Sequence, residues 1–230
     1  MLPELVTIPA GPFVMGSREG AGDEQPMRTV HVSAFALAAH AVTNAEYRRF
    51  LAATGHRAPE CIDAPGFAAP RQPVVGVSWF DAVAYCAWLA ANTGLPCRLP
   101  TEAEREKASL GGVDGARYPW GDDAAGLPPV QRVDAPDDVC RGAANGFGLH
   151  DMGDLVHEWC SDWYAADAYS VAPAHDPRGP AFGTRRASRG GSWRHAVQAT
   201  RCAARSSLPP DRTYADYGFR VAVGALPAKD

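Results

Sequence analysis

The residues that could carry redox or nucleophilic chemistry are spread thinly along this chain. Its six cysteines include no C-x-x-C pair, and no two of its histidines stand in an H-x-H or H-E-x-x-H arrangement. Free thiols are therefore the expected state of the cysteines, and no histidine indicates a metal ligand by its spacing alone. Any chemistry of sulfur or imidazole must depend on side chains that only the fold brings together.

Two carboxylates at close spacing suggest a different chemistry. Asp151 and Glu158 lie seven residues apart in the segment DMGDLVHE. Oxygen-only ligands from a tight loop suit a hard cation. A plain turn held by salt bridges or hydrogen bonds is the alternative interpretation of the same segment.

Composition excludes several classes of protein. The formal net charge is −4, from 22 Lys+Arg against 26 Asp+Glu, so nothing indicates capture of nucleic acid. No run of about 18 apolar residues is present, which argues against a membrane-spanning helix. The first residues show no basic segment followed by an apolar one, so we expect a cytoplasmic protein, acting as a monomer.

Local signals predict the elements that must position any site. Three helices are indicated at residues 43 or 44 to 55, 78 to 94 and 101 to 111, each with a capping residue at its start and a glycine at its end. Two short strands around a turn are predicted at residues 5–11 and 13–16, and a half-buried strand at 29–32.

Beyond residue 111 the signals for regular structure fade. Residues 112–220 are rich in turns and contain short aromatic clusters, such as YPWG at 118–121 and WY at 163–164. This texture over half a chain is unusual for a simple layered fold. It predicts an irregular α+β domain held together by ions, by buried polar contacts or by both.

Seven sequence motifs occur along the chain: HAVTNAEYRRF at 40–50, PVVGVSWFDA at 73–82, RLPTEAE at 98–104, YPWG at 118–121, GLHDM at 148–152 leading to EW at 158–159, RGGSW at 189–193 and YGFR at 217–220. In this order they resemble the motifs of the formylglycine-generating enzymes, also called sulfatase-modifying factors. Any one motif is weak, whereas seven in order are specific. The resemblance implies a single domain over residues 1–230, with its core at about 5–223, of irregular α+β structure related to the C-type-lectin-like fold.

The resemblance also reveals a departure from the family's chemistry. The family holds copper with two cysteines just after the Gly-Gly-Ser-aromatic turn, whereas residues 194–200 here, RHAVQAT, contain none. The first copper cysteine would fall at His195, and Cys202 matches a non-catalytic position. The family's usual tryptophan before Glu158 is His157 here. The resemblance therefore places the candidate catalytic residues of the cleft at His157, Ser192, Trp193 and His195.

Two interpretations of this cleft stay open. In one, His157 and His195, with His150 as a further candidate, hold a redox metal, because imidazole suits copper, iron and zinc. In the other, both imidazoles line a polar groove and bind nothing. A nucleophilic Cys202, activated by the adjacent Arg201, is a third possibility.

The same resemblance implies that the loop at Asp151 wraps a structural calcium ion. Carried over position by position, the ligands would be the side chains of Asp151 and Glu158 and the backbone carbonyls of Asp154 and Val156. Gly153 stands one position away from the usual glycine, so a rearranged loop is expected. The family's other calcium loop, between residues 120 and 148, has no matching asparagine and is expected to be absent.

Glycines and arginines near the C-terminus are expected to shape the scaffold. The adjacent glycines at 190 and 191 permit positive φ and close backbone approach, as the floor of a cleft requires. Three arginines, at 201, 205 and 220, are expected to brace the turn-rich core by pairing with carboxylates, with Asp211 and Asp216 as the nearest partners in sequence. A clamp for a substrate carboxylate is the alternative role of these arginines.

The missing cysteine pair argues against a true aldehyde-forming enzyme, because that chemistry needs copper held by thiolates. We therefore expect an oxidative tailoring, accessory or maturation protein acting on a peptide or a small peptide-derived substrate, similar to the family branch that matures pyoverdine chromophores. The sulfoxide-synthase branch is disfavoured, because its iron histidines lie on a helical domain that this sequence does not show. The alternative is a non-catalytic module that binds a ligand or a protein, as in inactive paralogues and in the variable proteins of diversity-generating retroelements.

Overall fold

The computed structural model describes residues 2–122, 134–224 and 226, and it has the predicted irregular α+β character. Its helices are α1 (Asn44–Thr54), α2 (Trp79–Thr93), α3 (Glu102–Ser109) and α4 (Ala168–Val171). Its strands are β1 (Leu5–Ile8), β2 (Gly11–Met15), β3 (Arg28–Val32), β4 (Phe35–Ala38), β5 (His157–Trp163), β6 (Arg186–Arg189), β7 (Arg205–Leu208), β8 (Tyr217–Gly218) and β9 (Ala222–Gly224).

The three predicted helices are confirmed, and capping explains where they begin and end. At the start of α2 the Ser78 side chain accepts from the Asp81 backbone N–H, while the Asp81 carboxylate accepts from the Ser78 N–H. The same reciprocal box opens α1 and α3. Gly55 and Gly94 end the first two helices with φ of 67° and 71°, a conformation that favours glycine. The short α4 has no side-chain cap at its start, so it had no sequence signal of this kind.

The N-terminal strands exist as predicted, but β1 and β2 do not pair with each other. β1 pairs antiparallel with β4, which pairs in turn with β9 near the C-terminus. β2 pairs antiparallel with β3. Periodicity predicted the strands, whereas the choice of partner depended on parts of the chain that are distant in sequence.

A four-stranded sheet in the order β7-β6-β5-β8 carries the site region. β5 runs antiparallel to β6, with Glu158 opposite Arg189, and parallel to β8, with His157 opposite Tyr217. The start of β5, the start of β8 and the end of β6 therefore meet at one edge of the sheet. The first four residues of β5 are all buried. This strand lacks the alternation of a half-buried strand, which explains why the sequence did not predict it.

Aromatic side chains fill the largest core cluster. Trp159 of β5 and Phe219 are fully buried there, together with Tyr47 of α1 and Tyr85 of α2. The Trp159 indole Nε1 donates to the Val77 carbonyl at 3.0 Å, so its one polar atom is satisfied. This packing fixes β5, and with it the residues on either side of Trp159.

Buried ion pairs join α3 to the four-stranded sheet, as the prediction of buried polar contacts required. Arg189 of β6 is 1% exposed. Its Nε lies 3.0 Å from Oε1 of Glu102, and its Nη2 lies 2.7 Å from Oε2 of Glu106. Arg205 of β7 pairs with Glu102 as well, at 2.7 Å. The RLPTEAE motif is therefore a helix start that also supplies buried carboxylates to the sheet.

The cysteine side chains of this chain are free thiols that mostly pack in the protein interior. All six cysteines are free, and four of them are buried. Burial raises the pKa of the Cys86 and Cys160 thiols well above the usual range, which keeps them protonated. Across the described residues, no helix combines the length and the apolar character that crossing a bilayer demands.

Candidate functional site

Three segments of the chain converge at the edge of the sheet where β5 begins. The backbone N–H of His157 donates to the Asp216 carbonyl at 2.9 Å, and the N–H of Trp193 donates to the Leu155 carbonyl at 3.0 Å. Gly190 follows β6 directly and adopts a φ of 80°, which glycine reaches without strain. The side chains that this arrangement brings beside His157 are those of Ser192, Arg194, His195 and Asp216.

His157, His195 and Asp216 form a continuous polar chain. Nε2 of His157 lies 3.0 Å from Nδ1 of His195, and one of these two nitrogens donates the shared hydrogen. Nε2 of His195 lies 3.4 Å from Oδ2 of Asp216. The two imidazoles expected to face one cleft therefore meet, and a carboxylate completes the group.

Asp216 is held firmly in place. Arg194 donates from Nη2 to Oδ1 at 2.6 Å and from Nε to Oδ2 at 3.0 Å, and the Ser192 hydroxyl donates to Oδ2 at 3.2 Å. The Asp216 side chain is only 3% exposed. Several donors therefore fix the orientation of Asp216, and its Oδ2 lies beside the His195 ring at 3.4 Å.

His157 is neutral at physiological pH. Burial lowers its pKa to about 4, and the neighbouring imidazole of His195 contributes to the shift. Nδ1 of His157 is buried on the side of the Gly190 backbone, and its Nε2 is the nitrogen that faces His195. A neutral imidazole can exchange a proton or bind a metal ion.

A cleft of about 760 Å³ opens beside this group. His195, Ser192 and Trp193 line the cleft, whereas the buried His157 is not part of its wall. The other lining residues come from two segments, residues 110–121 and residues 137–155. His195 is therefore the imidazole that a molecule in the cleft would touch.

The family's copper chemistry does not fit the described residues of this cleft, because none of those lining it is a cysteine. Cys202 lies in the hydrophobic core, and burial raises its pKa to about 12. Arg201 does not activate this thiol, since both of its terminal nitrogens pair with Glu24 at 2.7 Å. A thiol with so high a pKa is a poor nucleophile and a poor metal ligand at neutral pH. The suggestion that Cys202 acts as a nucleophile is therefore wrong.

Glu158, predicted as a calcium ligand, has a different role. Nε of Arg105 donates to its Oε2 at 2.7 Å, and Arg220 donates to Oε2 at 2.8 Å and to Oε1 at 2.7 Å. All three side chains are fully buried. Two guanidinium groups already compensate this carboxylate and would repel a dication beside it. We therefore remove Glu158 from the predicted calcium ligands.

The other predicted calcium ligands stay close together. Asp151 adopts a φ of 55°, and its Oδ2 accepts from the Cys140 N–H at 2.7 Å. Burial, followed by the charge of Asp151, raises the pKa of the Asp154 carboxyl to about 6. The Val156 carbonyl lies beside Gly190. Calcium in this loop stays a prediction. The family's other calcium loop, expected to be absent between residues 120 and 148, includes residues 123–133, which lie outside the described part of the chain.

The raised pKa of Asp154 gives the calcium prediction a test in stability. The folded-state value of about 6 exceeds the unfolded reference of 3.8, so stability is lost as the pH rises between these values. Without calcium, we expect Asp154→Asn to be more stable than the wild type at pH 8, by on the order of 1–2 kcal/mol, and equal to it near pH 4. The measurement is thermal unfolding at both pH values, with and without calcium.

Calcium bound by the Asp151 carboxylate and the Asp154 backbone carbonyl should stabilise the wild type at pH 8. Asp151→Asn, which lacks that carboxylate, should respond much less. Asp138→Asn serves as the matched control, since Asp138 also lines the cleft. An equal response to calcium in the wild type, Asp151→Asn and Asp138→Asn would count against a calcium ion at Asp151 and Asp154.

His150 does not join the two other histidines. Its Nδ1 lies 3.0 Å from the Gly142 carbonyl, and its backbone N–H donates to the Ala39 carbonyl at 2.9 Å. His150 is therefore not a further ligand beside His157 and His195. The third side chain of that group is Asp216.

The bracing role predicted for the arginines is confirmed, but with other partners. Arg201 pairs with Glu24, Arg205 with Glu102 and Arg220 with Glu158. Asp216 pairs with Arg194. Because their guanidinium groups are engaged within the protein, the three arginines do not form a clamp for a substrate carboxylate.

The chain matches a known protein family. The family described as "Sulfatase-modifying factor enzyme 1-like domain" matches residues 1–225. The chain belongs to this family, as its motifs predicted.

Individual relatives illustrate the range of the family. The chain is 34% identical to the formylglycine-generating enzyme of Thermomonospora curvata, over 96% of this chain and 94% of that enzyme. It is 37% identical to the serine/threonine-protein kinase pkn1 of Chlamydia caviae, over 96% of this chain but only 38% of that kinase, so it spans less than two fifths of this relative. The solved structure of PvdO from Pseudomonas aeruginosa superposes with a TM-score of 0.85 at 29% identity, over 97% of this chain and 95% of PvdO.

Two parts of the site were missed by sequence reasoning. Asp216 was considered only as a partner for the distant arginines, although it directly precedes the YGFR motif. Trp120 was recognised as part of an aromatic cluster, yet it also lines the cleft. Position within or beside a motif was the available signal, and it does not reveal which way a side chain points.

Proposed function

We propose that this domain is a tailoring or maturation protein whose cleft binds a peptide or a small peptide-derived molecule. One observation carries the proposal: an imidazole backed by a second imidazole and a buried carboxylate lies in the wall of the cleft. Its volume of about 760 Å³ is within the range of small-molecule and peptide sites. Membership in a family that includes a formylglycine-generating enzyme supports a role in modification.

His195 is the residue best placed to act on a bound molecule. Its side chain is 35% exposed and lies in the cleft wall, with the neutral His157 on one side and Asp216 on the other. A carboxylate that orients an imidazole is the arrangement found in general acid–base catalysis. His195 can therefore take or give a proton in the cleft, with His157 as its partner in the interior.

The cleft wall favours a neutral or basic molecule with an apolar part. Two tryptophans, Trp120 and Trp193, line it, and neither indole N–H has an acceptor among the described residues. Both indole nitrogens are buried, so the two rings offer the cleft mainly apolar surface. The charged residues of the wall are mostly acidic, comprising one arginine, Arg141, and the carboxylates of Asp137, Asp138, Asp151 and Asp154.

A pure binding role is the second candidate function. It is favoured by the residue types that follow the Gly-Gly-Ser-Trp turn. Residues 194–200 contain no cysteine, so the family's thiolate ligands have no counterpart in this segment. In that case Ser192, Trp193 and His195 would be contacts for a protein or peptide segment, with no chemical step. The two candidates share the cleft and differ only in whether the bound molecule changes.

We expect short peptides with a central lysine to bind more tightly than otherwise identical peptides with a central glutamate, because of the acidic wall. Calorimetry or tryptophan fluorescence measures this difference. Trp193→Ala should weaken binding by about tenfold or more, as loss of a large aromatic contact does. Trp88→Ala, a matched change on α2 outside the cleft, should bind like the wild type.

Mass spectrometry of the bound peptides after aerobic incubation then separates the two candidates. Loss of two hydrogens or gain of one oxygen, abolished in His195→Ala, supports tailoring. Binding without any change in mass supports the binding role. If no peptide binds, or if Trp193→Ala binds as well as Trp88→Ala, the proposed use of the cleft is wrong.

A further inference from the structure

We propose that His157, His195 and Asp216 form a binding site for one divalent transition-metal ion, of the kind that iron(II) occupies in two-histidine, one-carboxylate centres. This inference rests on the proposed function, since it names the cofactor of the same cleft. It assigns to three residues a role that is distinct from the family's two-thiolate copper site.

The spacing of the donor atoms fits one ion. Within the described ranges, these residues are the one group of three or more histidine, cysteine or acidic side chains whose ligand atoms lie mutually close, within 4.8 Å. At metal–ligand distances of about 2.1 Å and octahedral or tetrahedral angles, two donors on one ion lie about 3.0–3.4 Å apart. The most distant pair in the group therefore needs to close by up to about 1.8 Å, and the partly exposed His195 ring is the part that can move.

The chemistry of the donors fits a transition metal. Two imidazoles and one carboxylate, with further positions open, form the set that non-haem iron(II) sites use, and imidazole also suits copper and zinc. In the structure the two imidazoles meet each other through Nε2 and Nδ1, so an ion between them would replace one hydrogen bond. At Asp216 it would also have to displace the contact between Nε of Arg194 and Oδ2 at 3.0 Å. The third donor, Asp216, supplies the negative charge that a dication requires.

Surrounding groups already hold the ligands as the outer shell of a metal site does. Arg194 and Ser192 donate to the Asp216 carboxylate, and the His157 N–H donates to the Asp216 backbone carbonyl. Such outer contacts fix ligand orientation in metal proteins. Arg194 is 42% exposed, so it can keep its 2.6 Å contact with Oδ1 while its Nε gives up the 3.0 Å contact with Oδ2 to the ion.

The position of the group ties the ion to the cleft. His157 is buried, while His195 and Ser192 line the cleft wall. An ion between these histidines would therefore have protein on one side and the cleft on the other. Its remaining coordination positions would face the space where a peptide is proposed to bind, which is where an oxidative centre needs them.

The first test is metal binding by tag-free protein that has been stripped with a chelator. Titration with cobalt(II), followed by visible absorption, should show one bound equivalent. His195→Ala should weaken this binding at least about 100-fold, because even an outer-shell change costs about 10–100-fold. His150→Ala, a matched loss of a histidine outside the group, should bind like the wild type. Circular dichroism confirms that each variant is folded.

A second measurement does not depend on the folding of any variant. Electron paramagnetic resonance of the wild type loaded with one equivalent of copper(II) should show hyperfine coupling to two imidazole nitrogens. The proposal is overturned if the wild type binds no equivalent of cobalt(II), if His195→Ala binds it as tightly as His150→Ala, or if the copper spectrum shows fewer than two imidazoles.

The metal test and the peptide test fail independently. Metal binding is measured without peptide, and peptide binding is measured on protein free of metal. A bound ion without peptide binding would retain the metal site and reject the proposed use of the cleft. Peptide binding without a specific ion would do the reverse.

Discussion

Glu158→Gln should be the most destabilising of the conservative substitutions considered for this protein, lowering the free energy of unfolding by about 3–5 kcal/mol. The Glu158 carboxylate is fully buried between Arg105 and Arg220, which are fully buried themselves. A neutral amide would leave two guanidinium groups in the interior without a charged partner. Chemical denaturation monitored by circular dichroism measures the loss.

The control for Glu158→Gln is an acid-to-amide change in an exposed ion pair. Asp63 pairs with Arg48 at 2.8 Å, but its side chain is 78% exposed, so Asp63→Asn should stay within about 0.5 kcal/mol of the wild type. If Glu158 held calcium instead, a chelator would reproduce the loss in the wild type. The ion-pair assignment requires the same large loss with and without chelator, and a loss below about 1 kcal/mol would contradict it.

Gly191→Ala should have the second-largest effect, costing about 1–3 kcal/mol and disturbing the cleft wall. A Cβ at this position would lie 2.7 Å from the Gly153 carbonyl oxygen and 2.8 Å from Cγ2 of Thr200. The Gly191 N–H also donates to that Gly153 carbonyl at 2.8 Å, so the two segments cannot separate without losing a buried hydrogen bond. Since Ser192 and Trp193 follow directly, their side chains should move.

A second glycine of the cleft provides the control for Gly191→Ala. Gly142 also lines the cleft, yet a Cβ there would meet nothing within 4 Å, so Gly142→Ala should leave stability nearly unchanged. Thermal unfolding measures stability, and the fluorescence of Trp193 reports on the cleft wall. Equal melting temperatures for the two variants would show that the close approach at Gly191 is not required.

Local sequence was sufficient to predict the helices. Each predicted helix depends on a side chain such as Ser78 that reaches a backbone N–H only three residues away, and on a glycine such as Gly94 that accepts positive φ. These interactions form wherever the segment lies in the protein. The order of the seven motifs likewise revealed the family, and the cysteine-free segment at 194–200 revealed the departure from its copper chemistry.

Prediction failed where a residue's partner is distant in sequence. The sequence suggested calcium for Glu158 because its neighbours resemble a calcium loop, but Arg105 lies 53 residues before it and Arg220 lies 62 residues after it. β5 was missed because buried positions on both faces of a strand erase the alternation that signals one.

The sequence by itself determined the family and the three capped helices, because each depends on residue identity or on contacts within one turn. Only the tertiary structure decided that His157 meets His195, 38 residues away, and that Asp216 completes the group. That meeting depends on β5 pairing antiparallel with β6 and parallel with β8, which brings three strand ends to one edge of the sheet. Strand pairing is set by how whole strands pack into the core, through residues such as Trp159 and Phe219. No local sequence pattern encodes this packing.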